Sequence, residues 1–230
     1  LVNMKQLILL HGALGASSQF IELKKRLESY YQLFLLDFDG HGHGKATEEM
    51  SIELFSETLK NFIDERQLVK PLIFGYSMGG YVALLTASKY PNSIGAVLTL
   101  GTKFKWDEES ATQEIKLLDP EKIELKVPKF AEYLETIQAP TEWKKVMYQT
   151  QELMLRLGKS PLLEKSVLES ITIPVHLRLG SEDTMVTLNE TEAIRQQLKN
   201  ATFEVVDGIP HPIQQISNES LENLIRSTLI

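Results

Sequence analysis

The sequence predicts a doubly wound, mostly parallel α/β sheet that carries one all-helical insertion. Three observations predict it. Short apolar runs recur along the 230 residues with little polar alternation, as in parallel strands covered on both faces. Helical patterns separate these runs. One long stretch, from about Phe104 to Ser170, breaks the rhythm with caps and prolines and no convincing strand.

Taken in order, Gln6–Leu10 is the first strand, Ser17–Leu27 a helix and Leu33–Leu36 the second strand. Ile52, Phe55, Leu59, Phe62 and Ile63 fall at i, i+3, i+7, i+10 and i+11, one face of a helix. Leu72–Phe74 is the third strand, Met78–Tyr90 the helix behind it and Ala96–Leu100 the fourth strand. Inside the insertion, Thr141 is placed to cap a helix whose apolar face is Trp143, Val146, Met147, Met154 and Leu157, and which stops at Gly158. Ser160-Pro161 reads as the start of another, with proline at its first position. Val175–Leu179 and Thr202–Val206 are the last two strands, with helices at Leu188–Leu198 and Ile213–Leu229. The domain reading is a core of residues 1–103 and 171–230, with 104–170 as a helical lid over the C-terminal edge of the sheet.

Composition excludes several classes. The formal net charge of −7 argues against a nucleic-acid partner, because phosphate binding needs a basic surface. The chain has no cysteine, which removes disulfides, thiolate metal sites and a cysteine nucleophile. The apolar run in LVNMKQLILLHG is too short for a signal-peptide core, and no segment reaches the roughly 20 apolar residues of a membrane span. Leu1–Asn3 precede Met4 and read as a remnant ahead of the natural start. The expectation is a soluble, cytoplasmic protein; oligomeric state is not legible.

The chemistry gathers at strand ends, where open α/β sheets bind ligands. HGALGASS follows the first strand and DFDGHGHGK the second; Ser77 follows the third, GSEDTMV the fifth and DGIPHPI the sixth. Gly75-x-Ser77-x-Gly79 sets small residues two positions either side of a hydroxyl, as a very sharp strand-to-helix turn requires. The plainer alternative is a glycine-rich loop with Ser77 as a helix N-cap. The DGHGHGK stretch fails as a phosphate-binding loop, since Asp39 stands at the first glycine position and Ala46 follows Lys45. His41 and His43 with Asp37 or Asp39 are plausible metal-ligand types, but no further cluster supports them, so loop structure is the preferred reading.

These pieces resemble the α/β-hydrolase superfamily over nearly the whole chain: His11-Gly12, Asp37-x-x-Gly40-x-Gly42, Gly75-Tyr76-Ser77-Met78-Gly79-Gly80, Gly180-x-x-Asp183-x-x-Val186 and His211. Two features depart from the family: its earlier antiparallel strand pair is missing or trimmed, and the serine often found near Gly44 is absent. The resemblance implies a triad of Ser77, Asp183 and His211. It also implies an oxyanion hole from the backbone amides of Ala13 and Met78, and no cofactor. Chain order agrees. Of the five histidines only His176 and His211 follow Ser77, and His176 reads as a core or sheet-face residue inside a strand. Glu182 competes with Asp183; family pattern and the shorter side chain favour Asp183, whose plainer role is helix capping. His11 is expected to shape its loop by hydrogen bonding.

The activity implied is cleavage of a small or medium carboxylic ester through an acyl-serine. Relatives with the same triad that run eliminations or carbon–carbon cleavage, and ligand-binding receptors on the same fold, are the alternatives. The apolar residues of the insertion, Trp143 and Met147 first among them, are expected to wall the acyl pocket. The insertion is expected to set substrate choice and leave the chemistry to loops outside it.

Overall fold

The computed structural model describes residues 4–229; Leu1–Asn3 and Ile230 lie outside the described residues, and with them the reading of the N-terminal remnant. Six strands form a single sheet: β1 (Lys5–Leu10), β2 (Tyr31–Leu36), β3 (Leu72–Tyr76), β4 (Ala96–Leu100), β5 (Val175–Glu182) and β6 (Ala201–Pro210). Their spatial order is β2-β1-β3-β4-β5-β6, and every pairing is parallel. The chain winds outward from β1 to β2, then returns to place β3 on the other side of β1. That reversal opens a crevice between the C-terminal ends of β1 and β3, in register at Leu10 and Gly75.

The apolar runs explain the layering. In β1, Leu7, Ile8, Leu9 and Leu10 are all fully buried, with alternate residues facing opposite sides of the sheet. Leu7 and Leu9 pack with Phe20, Leu23 and Leu27 of the Ser17–Phe20 turn and α1 (Ile21–Leu27), and with Leu221, Leu224 and Ile225 of the last helix. Ile8 and Leu10 join the opposite cluster, with Phe55 and Leu59 of α2 (Ile52–Glu65) and Val82–Leu85 of α3 (Met78–Lys89). Each such side chain contributes about 1.5–3 kcal/mol on burial. Ser51 caps α2, its hydroxyl accepting from Leu54 N at 3.1 Å. The helix α3 runs through the core: residues Gly79 to Ala87 are all buried.

Between β4 and β5 the chain forms α4 (Glu108–Ile115), α5 (Pro120–Lys126), α6 (Pro128–Gln138), α7 (Trp143–Lys159) and α8 (Lys165–Ser170). Three local expectations fail here. Thr141 does not cap α7; its hydroxyl donates to Gly42 O at 3.2 Å. Gly158 does not stop α7 but lies within it, because a Cβ there would sit 2.6 Å from the Cβ of Ala111, where α7 crosses α4. Ser160-Pro161 starts no helix, and α8 begins only at Lys165. After β5 come α9 (Leu188–Gln197), capped by a reciprocal Thr187–Glu190 pair, and, after β6 and a short turn at Ile213–Gln215, α10 (Asn218–Thr228). No helix of the described residues is long and apolar enough to cross a membrane.

Candidate active site

Ser77 links β3 to α3 with φ 50° and ψ −118°. A left-handed non-glycine residue costs on the order of 1–3 kcal/mol and persists only where its surroundings hold it. Here Ser77 N donates to Leu100 O at 2.9 Å, and Ser77 O accepts from Thr102 Oγ1 at 2.9 Å and Gly80 N at 3.0 Å. The flanking glycines are required by close approach. A Cβ on Gly75 would lie 2.5 Å from Gly80 N, and one on Gly79 would lie 2.6 Å from Leu10 O. The side chain of Ser77 makes no capping hydrogen bond to α3, so the plain N-cap reading fails. The hydroxyl is instead delivered to the wall of a cavity.

Asp183 and His211 come together across the ends of β5 and β6. Register shifts between Gly180 and Glu182, and Asp183 N then donates back to Gly180 O at 3.1 Å, which turns Asp183 away from the sheet. Its Oδ2 accepts from His211 Nδ1 at 2.7 Å, and the two side chains are 1% and 8% exposed. Its Oδ1 accepts from Met185 N at 2.8 Å and Val186 N at 2.9 Å, while Thr187 caps the following helix. Burial pushes the Asp183 carboxyl up; the hydrogen bond and charge of His211 and the two amides outweigh it, holding the group below the ordinary carboxylate range. An ionised carboxylate only accepts, so Nδ1 carries the proton and Nε2 is the free nitrogen of His211. Glu182, by contrast, is exposed.

Two further residues hold the pair and a third holds Ser77, and sequence reasoning gave none of them that role. Tyr76 OH donates to His211 O at 2.8 Å, and burial pushes that phenol up. Gly101, at φ 60°, leaves the space the pair fills: a Cβ there would sit 3.0 Å from Asp183 Oδ2. Thr102 fixes Ser77 as described. Tyr76 stood inside the elbow motif and Gly101 directly after a strand, but neither position alone says what it meets in the fold. Ser77 and His211 line the same cavity, yet no hydrogen bond joins Ser77 Oγ to His211 here. Such contacts commonly tighten only with substrate in place.

The loop after β1 faces Ser77 across the crevice. A Cβ on Gly12 would lie 2.8 Å from the Tyr76 ring and 3.1 Å from Ser77 Cβ. His11 is fully buried: its Nε2 accepts from Phe38 N at 3.2 Å and its Nδ1 donates to Gly12 O at 2.8 Å. Ala13 and Met78 both line the cavity. Met78 opens α3, where backbone amides lack helical partners.

The ligand types of the second loop stand in different surroundings. His41 is fully buried and His43 exposed, while the Asp37 carboxylate is taken by Ser17 N at 2.6 Å and His43 N at 3.3 Å. Among the described residues no cluster of three or more His, Cys, Asp or Glu could hold a metal ion. His176 sits on the sheet, its Nδ1 3.0 Å from Thr202 Oγ1.

Burial pushes His41 well below its usual value, helped by His11 beside it, and pushes His11 down as well against the pull of Gly12 O and Asp37. The unfolded chain therefore binds more protons than the folded one once pH falls below about 6.5, and stability declines from there at up to about 1.4 kcal/mol per pH unit for each group. Asp183, held low, acts in a separate window: its contribution is present above about pH 3.9 and is lost as pH falls through its folded value. Urea unfolding at about pH 7.5 and about pH 5.5 checks the histidine effect, with lower stability expected at the acid value; equal stabilities would contradict it.

The cavity has a volume of about 720 Å³ and is mostly apolar. Its far wall comes from the insertion, chiefly Leu118, Phe130, Tyr133, Leu153, Met154 and Leu157. Trp143 and Met147 are not part of it. They pack with Ile123, Ala131 and Leu134 into the insertion's own core and are 8% and 0% exposed. The expected pocket face of α7 thus divides in two: its first turns hold the insertion together, and its later turns meet the cavity. One ion pair, Lys103 Nζ to Glu114 Oε1 at 3.1 Å, lies in the cavity wall.

Comparison with known proteins agrees with this architecture. Residues 5–120, half of the chain, match the family model described as alpha/beta hydrolase fold. The chain belongs to the alpha/beta hydrolase family. It is 25% identical over 199 residues to 3-oxoadipate enol-lactonase 1 of Acinetobacter baylyi, covering 79% of this chain and 73% of that one. It is 30% identical over 90 residues to an sn-1-specific diacylglycerol lipase of Danio rerio, covering 38% of this chain and 28% of the lipase. The chain spans about a third or less of several other curated relatives that it matches. The structure of a thermophilic esterase from Thermogutta terrifontis superposes with a TM-score of 0.77 at 19% identity, over 98% of this chain and 89% of that one, which is a likeness of fold.

Proposed function

We propose that this chain is a serine hydrolase that cleaves small or medium carboxylic esters through an acyl-serine on Ser77. The observation that carries the reading is the buried Asp183–His211 pair, 2.7 Å apart, opening on the same apolar cavity as the strained Ser77. A serine hydroxyl is a weak nucleophile until an adjacent base takes its proton. His211 Nε2 takes that proton as Ser77 Oγ bonds to the ester carbon. The carbonyl electron pair moves onto oxygen, where the amides of Ala13 and Met78 receive it; one such donor is worth about 3 kcal/mol. Collapse expels the alkoxide, protonated by His211. Water repeats the sequence to release the acid. Asp183 holds the imidazole in the Nδ1–H tautomer and stabilises the imidazolium. The enol-lactonase and diacylglycerol lipase relatives bear names of enzymes that open ester bonds, which supports the reaction class.

In this reading residues 104–170 form the lid, and the half-buried Met154 and buried Leu157 set acyl preference. Fit to an apolar wall gains about 0.8 kcal/mol per buried methylene, so the optimum in chain length is broad. Met154→Ala and Leu157→Ala shift it toward longer acyl groups. Trp143→Ala destabilises by about 3–5 kcal/mol and leaves the profile in place. A panel of p-nitrophenyl esters of graded length reads both effects, and a profile unmoved by either cavity variant contradicts the assignment. Product analysis on the same panel tests the reaction: one acid and one alcohol per turnover are expected, and products without the free acid would sink it.

A further inference from the structure

The turn that carries Ala13 is held from the side by the helical insertion. Gln138, the last residue of α6, is 1% exposed and reaches across to two loops of the core. Its Nε2 donates to Leu14 O at 2.8 Å and to Gly15 O at 2.9 Å, and its Oε1 accepts from Gly42 N at 2.9 Å. The partners themselves fix which end of the amide is nitrogen, since two are carbonyls and one is an N–H. The gripped segment needs holding: Leu14 is a non-glycine residue at φ 57°, in a turn closed at Gly12 O, which accepts from Gly15 N at 3.1 Å and from His11 Nδ1 at 2.8 Å. A second bridge runs alongside, where Tyr133 OH accepts from Gln19 Nε2 at 2.8 Å and Gln19 Oε1 accepts from Ala16 N at 3.1 Å.

We infer that Gln138 is a positioning residue for the reaction: by holding the Leu14 and Gly15 carbonyls it aims the Ala13 amide at the developing oxyanion. Leu14 O and Gly15 N share one peptide plane, and Gly15 N donates to Gly12 O, which shares a plane with the Ala13 N–H, so releasing the Leu14 and Gly15 carbonyls loosens the bond that orients the Ala13 amide. Donors contribute to a transition state in proportion to how little they must reorganise. The insertion then completes the chemical machinery as well as shaping the pocket. This inference rests on the hydrolase reading.

The test uses the full chain, an ester and the matching thionoester, whose C=S sulfur is a weak hydrogen-bond acceptor. An enzyme that depends on an aimed oxyanion donor prefers the oxygen ester, and losing the donor erodes that preference. Gln138→Met removes all three hydrogen bonds. Gln138→Glu keeps the size and the bond from Gly42 N but sets a carboxylate against two carbonyls. The expected result is a fall of about 10- to 100-fold in kcat for the oxygen ester, with KM nearly unchanged and the oxygen-to-sulfur rate ratio reduced by about tenfold. Equal slowing of both substrates, or none, overturns the inference, because a merely structural role leaves the ratio intact. If Gln138→Met does not fold, the nearly isosteric Gln138→Glu carries the test alone. Turnover that survives Ser77→Ala overturns the hydrolase reading and the inference with it, whereas Ser77-dependent turnover with an unchanged ratio overturns the inference only.

Discussion

If the proposed triad operates, Ser77→Ala is expected to lower hydrolysis of an activated ester by about 10⁴-fold or more and to abolish labelling by a fluorophosphonate. The size of the effect follows from the division of labour at the site. Without the hydroxyl, no covalent intermediate forms, and His211 is left to activate water in a pocket arranged for a nucleophile on the elbow. The residual rate comes from binding and the oxyanion donors alone. Folding is expected to survive, and removing the hydroxyl leaves the backbone bonds to Leu100 O and from Thr102 Oγ1 in place. The strained φ of 50° remains, so the melting temperature is expected to change little. Full ester turnover in a clean Ser77→Ala preparation would end the nucleophile assignment.

Asp183→Asn is expected to cost nearly as much, about 10⁴ in turnover, while Glu182→Gln costs little. The two neighbours differ in place more than in chemistry. Asp183 is 1% exposed and accepts from His211 Nδ1, Met185 N and Val186 N; Glu182 is exposed. An amide at position 183 can still accept from the two backbone amides through its oxygen, which leaves its NH₂ facing His211. That NH₂ donates to Nδ1 and forces the proton onto Nε2, the nitrogen required as the base. Steady-state kinetics of the two variants, with circular dichroism to verify folding, decides the choice. A crippled Glu182→Gln beside a working Asp183→Asn would reverse it.

The strands were legible because both sheet faces are covered, so burial writes near-continuous apolar runs such as Leu7–Leu10 into the chain. The elbow was legible for a steric reason, since glycine at 75 and 79 is demanded by contacts under 3 Å. The insertion was read less well. Its α7 has apolar residues facing two neighbours, the insertion's own core and the cavity, and periodicity reports that a face is apolar without saying what it meets. Trp143 and Met147 fell on the wrong side of that division. Gly158 resembled a helix stop because a glycine demanded by helix crossing looks identical in sequence to one demanded by a left-handed turn. Gln138 carried no signal at all. A single polar residue at a helix end reads as solvent-facing until the carbonyls it meets, 123 and 124 residues away, are brought to it.

The most direct test of the central claim is to catch the acyl-enzyme. Rapid acid quench of the protein during turnover of a p-nitrophenyl ester, followed by peptide mass spectrometry, reads where the acyl group sits. The account predicts one added acyl mass on the peptide carrying Ser77, absent in Ser77→Ala. Sustained turnover with that peptide unmodified, or with the acyl group on another residue, would contradict it.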